Sequence, residues 1–200
     1  MSAPVVTRRD ALLLGLGGLA LGLPGAARAD AVAAAEALVL SFSDELQRVV
    51  AGSGSAAAQV SGVRTLLERF TNLSLIAGSV LGPTGRTLSR GEQQMFLDTF
   101  TGYLARKYAS RFTELRGASL EVLRSQPVNS YVEVLARANL TTRAPLNVQF
   151  LVVERGGRTA IFDVRVEGYG LLRAERDEIG ALIDSNQGRI DAVIAALRTM

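Results

Sequence analysis

The chain has 200 residues, of which 48% are hydrophobic and 20% are charged, and its formal net charge is +3. It contains no cysteine and no histidine, which excludes disulfides, thiol nucleophiles, thiolate metal ligands and a Ser-His-Asp triad. A Ser-Lys dyad could use only the single lysine, Lys107, and no matching motif surrounds it. The composition therefore predicts a protein that is not an enzyme and that needs neither a metal nor a cofactor.

The first 29 residues have the order of an export signal. Arg8 and Arg9 precede an apolar run, Ala11–Leu23, and Ala27–Ala29 offers a small-x-small cleavage site. The apolar run is shorter than the ~20 residues that a membrane-spanning helix needs. The paired arginines fit the twin-arginine type of signal. We therefore predict an export signal at residues 1–29.

The remaining residues, 30–200, are numerous enough to form one domain with a hydrophobic core. Removing the three arginines and the one aspartate of the signal leaves 19 basic and 18 acidic residues. A nucleic-acid-binding protein needs a basic surplus to neutralise phosphates. We therefore predict a single exported domain that does not bind nucleic acid.

The first half of this predicted domain has the apolar periodicity of helices. Ser89 and Glu92 have the spacing of a capping box, which marks the start of the longest helix. The glycine-rich stretch 51–55 and Gly82-Pro83 interrupt the pattern. The predicted helices are residues 31–50, about 61–70, 73–81 and 90–112.

After Gly117 the period changes to that of strands. Val132, Val134 and Ala136 alternate with Glu133 and Arg137, as expected for a sheet with one face in water. The predicted strands are residues 119–124, 131–141, 148–154 and 159–167, and the predicted closing helices are residues 174–185 and 189–197. Helices, then antiparallel strands, then helices again predict an α+β fold.

Three local features refine this prediction. Gln126-Pro127 is expected to separate the first two strands, and Arg155-Gly156-Gly157-Arg158 is a hairpin signal between the last two. Asp163 lies within an apolar run, where we expect its carboxylate to accept structural hydrogen bonds.

The order of these segments resembles the MlaC family of periplasmic phospholipid carriers, also known from toluene-tolerance proteins. The most specific stretch is Ile161–Gly168, which contains the Asp-Val-x-Val-Glu-Gly pattern. The other similar stretches are Leu67–Phe70, Val80–Gly82, Gln93–Phe100, Tyr103–Ala105, Tyr108, Arg173–Arg176 and Ile190–Leu197.

The resemblance implies a twisted antiparallel sheet wrapped by N- and C-terminal helices, enclosing an apolar cavity for acyl tails. It also implies a periplasmic, monomeric carrier that helps to maintain outer-membrane lipid asymmetry. The implied partners are phospholipid, the substrate-binding ring of an inner-membrane ABC transporter, and an outer-membrane lipoprotein complex.

The candidate lining residues of that cavity are apolar or aromatic side chains on the longest helix, on the strands and before Gly82. For each of them, ordinary packing in the core is the alternative, because a sheet face packs equally well on a helix or on a lipid. The candidates are Val80, Leu81, Phe96, Phe100, Tyr103, Leu104, Tyr108, Val132, Val134, Phe150, Val152, Phe162, Val164 and Val166.

Two other functions stay open at this point. One is a small periplasmic α+β enzyme of the cone-shaped type, which would also have a cavity but with polar groups inside it. The other is an envelope interaction module without a ligand, which would have a solid core.

Overall fold

The computed structural model describes residues 24–52 and 54–200, and within them it has the predicted α+β fold. Five antiparallel strands form one sheet in the order β1-β2-β3-β4-β5. The strands are β1 (Ser119–Val128), β2 (Tyr131–Asn139), β3 (Leu146–Arg155), β4 (Arg158–Val166) and β5 (Tyr169–Gly170). The helices are α1 (Pro24–Ala51), α2 (Ala56–Phe70), α3 (Leu73–Leu81), α4 (Arg90–Thr113), α5 (Leu171–Ser185) and α6 (Ile190–Thr199), with a 3-10 turn at Thr84–Arg86.

The start of α4 is fixed by the predicted capping box. The Glu92 backbone nitrogen lies 3.3 Å from the Ser89 hydroxyl, and the Ser89 backbone nitrogen donates to the Glu92 carboxylate at 2.8 Å. These hydrogen bonds from Ser89 lower the pKa of the Glu92 carboxyl. The capping box satisfies backbone donors that the first helical turn leaves unpaired.

The first strand continues past the point where the sequence predicts its end. β1 runs through Pro127, which pairs in register with Val132, and reaches Val128. β1 is an edge strand and pairs with β2 alone. A proline is tolerated there because its missing N–H can face away from the neighbouring strand.

Three helices, α1, α2 and α5, begin earlier than the sequence predicts. The Ser55 hydroxyl caps α2 by accepting from the Ala58 backbone nitrogen at 3.3 Å, so this helix starts at Ala56. The Asp163 carboxylate accepts from the Leu172 nitrogen at 2.9 Å and from the Val164 nitrogen at 2.8 Å. The expected structural role of Asp163 is confirmed, and this side chain on β4 fixes the start of α5.

The tight turns follow from residues that adopt positive φ. Gly156 and Gly157, with φ of 62° and 73°, connect β3 to β4 and confirm the predicted hairpin. Glu167 and Gly168, with φ of 49° and 83°, connect β4 to β5. Positive φ at both central residues gives a turn whose twist matches that of the flanking strands.

The buried apolar side chains form two cores. The sheet–helix core lies between one face of the sheet and the helices α1 and α2, and the helical core lies among α2 to α6. The junction of α2 and α3 joins the two, because the Asn72 nitrogen donates to the Ile161 carbonyl at 2.9 Å. The sheet and the helical layer are thus fixed relative to each other at β4.

The predicted export signal, residues 1–29, lies outside the described residues except for residues 24–29, which belong to α1. It therefore stays a prediction. In the described part of the chain, no helix combines the length and the apolarity required to cross a bilayer.

Candidate ligand cavity

An apolar cavity of about 490 Å³ opens between α1, the C-terminal end of α4 and the sheet. Phe42 and Leu46 on α1 form one wall, and Tyr108 and Phe112 on α4 form another. The floor comes from the ends of β1 to β4 and from the start of α5. The side chains of the floor are Leu120, Ala138, Leu146, Val148, Phe150, Val164, Val166 and Leu171.

A smaller pocket of about 100 Å³ lies behind this cavity, between α2, α3, α5 and β4. Five side chains line both spaces, namely Phe42, Tyr108, Phe112, Val164 and Leu171. These five residues form the boundary between an outer cavity and an inner pocket.

Phe42 is held at this boundary by other aromatic rings. Its ring centroid lies 5.7 Å from that of Phe70 and 6.1 Å from that of Phe150, both in edge-to-face geometry. Such pairs stabilise the ring positions beyond the burial of their area. α1 is thereby fixed across the sheet as one wall of the cavity.

Polar groups surround the mouth of the outer cavity. The Gln47 side chain donates to the Leu115 carbonyl and accepts from the Gly117 nitrogen, each at 2.9 Å, and so ties α1 to the loop between α4 and β1. The exposed side chains of Arg143 and Glu114 form an ion pair at 3.3 Å. The mouth is therefore charged and exposed, whereas the interior is mostly apolar.

A buried polar network supports the α4 wall. The Tyr108 hydroxyl donates to Glu175 at 2.6 Å, and the ammonium group of Lys107 lies 2.8 Å from the same carboxylate oxygen. Lys107 also contacts Glu178 at 2.6 Å, and Tyr103 donates to Glu178 at 2.7 Å. This network joins α4 to α5 directly behind the cavity.

The ionisation of the network follows from its contacts. Burial, followed by the hydrogen bonds to the glutamates, raises the pKa of Tyr103 and of Tyr108, so both hydroxyls stay protonated and act as donors. The hydrogen bond from Lys107 lowers the pKa of Glu178. The arrangement holds two aromatic rings in place.

One carboxylate oxygen of this network stays without a partner. Glu175 is 3% exposed and lines the inner pocket, and its Oε2 atom accepts no hydrogen bond in the described structure. Lys107 offsets the charge through the other oxygen. The lining of the inner pocket is therefore mostly apolar, with Thr71, Asp163 and Glu175 as its polar residues.

Six of the fourteen candidate residues line these two spaces. Tyr108 and Val164 contribute to both, Phe150 and Val166 to the outer cavity, and Leu104 and Phe162 to the inner pocket.

The other eight candidates pack elsewhere. Phe96 and Phe100 stack at 5.5 Å inside the helical core, which also contains Val80, Leu81 and Tyr103. Val132, Val134 and Val152 lie in the sheet–helix core. None of these eight lines either space, so burial alone does not distinguish a cavity wall from close packing.

Several lining residues are not among the candidates. Phe42, Leu46 and Phe112 were recognisable as the apolar face of helices, but nothing in the pattern indicates that these faces leave a gap. The others lie at strand ends, in the loop after α4 and at the start of α5, namely Leu115, Leu120, Ala138, Leu146, Val148 and Leu171. Apolar residues cluster at one end of three strands, and this pattern could have predicted that the residues there line a cavity.

The fold and the cavity define the class of protein, which is an α+β protein with an apolar ligand cavity between its sheet and its helices. The sequence profile of the family described as MlaC protein matches residues 41–199. The chain therefore belongs to the MlaC family, and the resemblance found in the sequence is confirmed.

A solved structure has the same fold. It is the phospholipid-binding protein from Ralstonia solanacearum in complex with a phospholipid, which is 17% identical in sequence. The superposition has a TM-score of 0.69 and covers 82% of this chain and 94% of the other. Comparison with curated protein sequences found no match.

Proposed function

We propose that this protein is a phospholipid carrier that moves lipid across the periplasm. The observation that carries the proposal is the apolar cavity of about 490 Å³ with the inner pocket of about 100 Å³ behind it. Its volume lies within the ~300–1,000 Å³ typical of ligand sites. Membership of the MlaC family and the bound phospholipid of the Ralstonia solanacearum protein support the choice of ligand.

The cavity suits acyl tails because its interior consists of aliphatic and aromatic side chains. Burying a methylene group is worth about 0.8 kcal/mol, so two ordinary tails represent on the order of 20 kcal/mol of gross transfer free energy. Ordering and desolvation costs reduce this value, but release into water stays slow. A carrier with such a cavity holds its cargo until an acceptor offers another apolar site.

The polar mouth suits the lipid head group. Arg111 and Arg143 lie at the opening, and the Arg111 guanidinium lies 5.7 Å from the centre of the Tyr108 ring. A guanidinium can bind a phosphate through two parallel hydrogen bonds. In the proposed complex acyl-chain carbons fill the outer cavity and the phosphate stays at the mouth.

Slow release implies docking partners on both membranes. We propose the substrate-binding ring of an inner-membrane ABC transporter and an outer-membrane lipoprotein complex in these roles. No catalytic group is required for such an exchange, so the protein is proposed to act without a cofactor.

The test is native mass spectrometry of the protein purified from a bacterial envelope. The expected result is co-purified phospholipid, since tail burial makes dissociation slow enough to survive purification. Protein that stays lipid-free even after refolding with phospholipid vesicles would contradict the proposal.

The shuttle is tested separately by transfer to empty vesicles. Transfer is expected to be slow for the protein alone and faster with the soluble domain of a membrane partner. Acceleration through charged contacts should weaken as salt rises past about 0.15 M, where the screening length is about 8 Å. Equally fast transfer without a partner would indicate a shallow, open site.

A further inference from the structure

A second concave surface lies on the far side of α3 and α5 from the inner pocket. It is a groove of about 850 Å³ between α3, the 3-10 turn, the start of α4 and α5, and a shallower groove of about 470 Å³ continues it toward the β3–β4 hairpin. Ser74, Gly78 and Ser79 line both grooves. We treat them as one surface and call it the arginine groove.

The charge of the arginine groove has one sign. Arg86, Arg90 and Arg176 line its larger part and Arg155 its extension, and no aspartate or glutamate is among the residues that line either part. Within residues 24–52 and 54–200, none of these four guanidinium groups has a carboxylate within 4.0 Å. Elsewhere on the surface, Arg64, Arg143 and Arg173 each pair with a glutamate or an aspartate.

Local structure fixes where these arginines lie. The Gln93 side chain donates to the Gly85 and Leu88 carbonyls at 2.9 and 3.2 Å, which holds the turn that carries Arg86. The Arg176 guanidinium lies beside Gly82, where an added Cβ would be 3.8 Å from its Nη2 atom. The positive end of the α4 helix dipole adds to the potential at Arg90.

We propose that the arginine groove is a binding site for an acidic peptide segment of a partner protein. Each guanidinium can bind a carboxylate through two parallel hydrogen bonds. A bilayer surface is locally flat and cannot fill a recess between helices, whereas an extended chain can lie in it and meet all four arginines. The proposal is independent of the lipid cargo, because the groove and the cavity share no lining residue.

The experiment measures the fluorescence anisotropy of a labelled hexaglutamate peptide titrated with the purified protein at low salt. Hexaglutamine is the neutral control peptide. The expected result is binding of hexaglutamate alone. Its affinity should fall as salt rises, because surface charges more than a screening length apart stop interacting.

Two double variants with the same net charge give the decisive comparison. Arg90→Gln with Arg176→Gln removes two groove arginines, and Arg173→Gln with Arg198→Gln removes two exposed arginines outside the groove. The groove variant should bind about tenfold more weakly, as expected for the loss of two solvent-exposed ion pairs, and the control variant should stay within about twofold of the parent. Arg86→Gln with Arg155→Gln should reproduce the loss.

Absence of hexaglutamate binding would overturn the proposal, and so would equal weakening in the two double variants, which would show that only the net charge matters. Co-sedimentation with anionic vesicles is measured in parallel. If vesicle binding depends on the groove arginines and peptide binding does not, the surface docks on a membrane and the peptide proposal is wrong.

Discussion

The Tyr108 hydroxyl donates a hydrogen bond of 2.6 Å to the carboxylate of Glu175, across the interface of α4 and α5. The ring of Tyr108 lines both the outer cavity and the inner pocket, while Glu175 is buried behind it. One hydrogen bond therefore fixes the ring that separates the two spaces, which links the stability of the helical layer to the shape of the cavity.

Replacing Tyr108 with phenylalanine should separate these two roles. The Tyr108→Phe variant keeps the ring but removes a donor from a buried carboxylate, so the free energy of unfolding should fall by about 1–3 kcal/mol. Lipid retention should change little, because the apolar lining is kept. Urea unfolding and native mass spectrometry measure the two effects, and unchanged stability would show that the hydrogen bond is energetically unimportant.

Lys107 should matter more for stability than a surface lysine does. Its side chain is 17% exposed and that of Glu175 is 4% exposed. Lys107→Met should destabilise the protein by about 3–5 kcal/mol, because it leaves a buried carboxylate without its counter-ion. Adding Glu175→Leu to this variant removes that carboxylate and should restore part of the loss in urea unfolding. A double variant no more stable than Lys107→Met would contradict this explanation.

Glu178 should contribute to the acid sensitivity of the fold. Its pKa lies below the ordinary value of 4.5, chiefly because Lys107 donates a hydrogen bond to it. A carboxyl with a lowered folded-state pKa stabilises the protein above its unfolded-state pKa, and this contribution disappears as pH falls through the folded-state value. Parent and Glu178→Gln unfolding midpoints should therefore differ at pH 7 and begin to converge as pH falls below the unfolded-state pKa of about 4.3.

The matched control for this pH series is Glu154→Gln. Glu154 is exposed, and it forms no ion pair within the described residues. Its substitution should leave the pH profile parallel to that of the parent. A Glu178→Gln profile that is also parallel would show that the contact with Lys107 does not couple to folding.

Two valines on the sheet should respond differently to enlargement. Val164 borders both the outer cavity and the inner pocket, whereas Val134 is fully buried in the sheet–helix core. Val164→Phe should fill cavity volume and lower lipid occupancy with little loss of stability. Val134→Phe should cost about 1–3 kcal/mol by overpacking. If both variants lose lipid in proportion to their loss of stability, the lipid loss follows from destabilisation alone. That result would count against a lipid site at Val164.

The export prediction is tested at the paired arginines. Replacing Arg8 and Arg9 with lysine keeps the segment positively charged, so a general secretory route should tolerate the change, whereas a twin-arginine route should not. Fractionation of cells that express each version measures the periplasmic yield. An unchanged yield would assign export to the general route.

Local sequence determined much of the fold, because helices and strands are specified by residues close together in the chain. The capping box at Ser89 and Glu92 fixed the start of α4, and the double glycine fixed the hairpin between β3 and β4. The family could also be identified from the sequence, because the order of its segments is recognisable even where few residues are identical. The larger differences lie in the extents of β1, β2 and β3 and in the starts of α1, α2 and α5. For β1 an edge position decided, and for α5 a capping side chain distant in the sequence, Asp163.

Which apolar residues line the cavity was decided only by the tertiary structure. Phe100 and Tyr108 both belong to the helical core on α4, yet only Tyr108 also borders the cavity. Apolar periodicity indicates that a side chain is buried away from water. A side chain is buried in this sense both when it packs against another side chain and when it borders an apolar cavity. The distinction arises because α1, held by Phe42 against Phe70 and Phe150, lies across the sheet without filling the gap to the C-terminal end of α4.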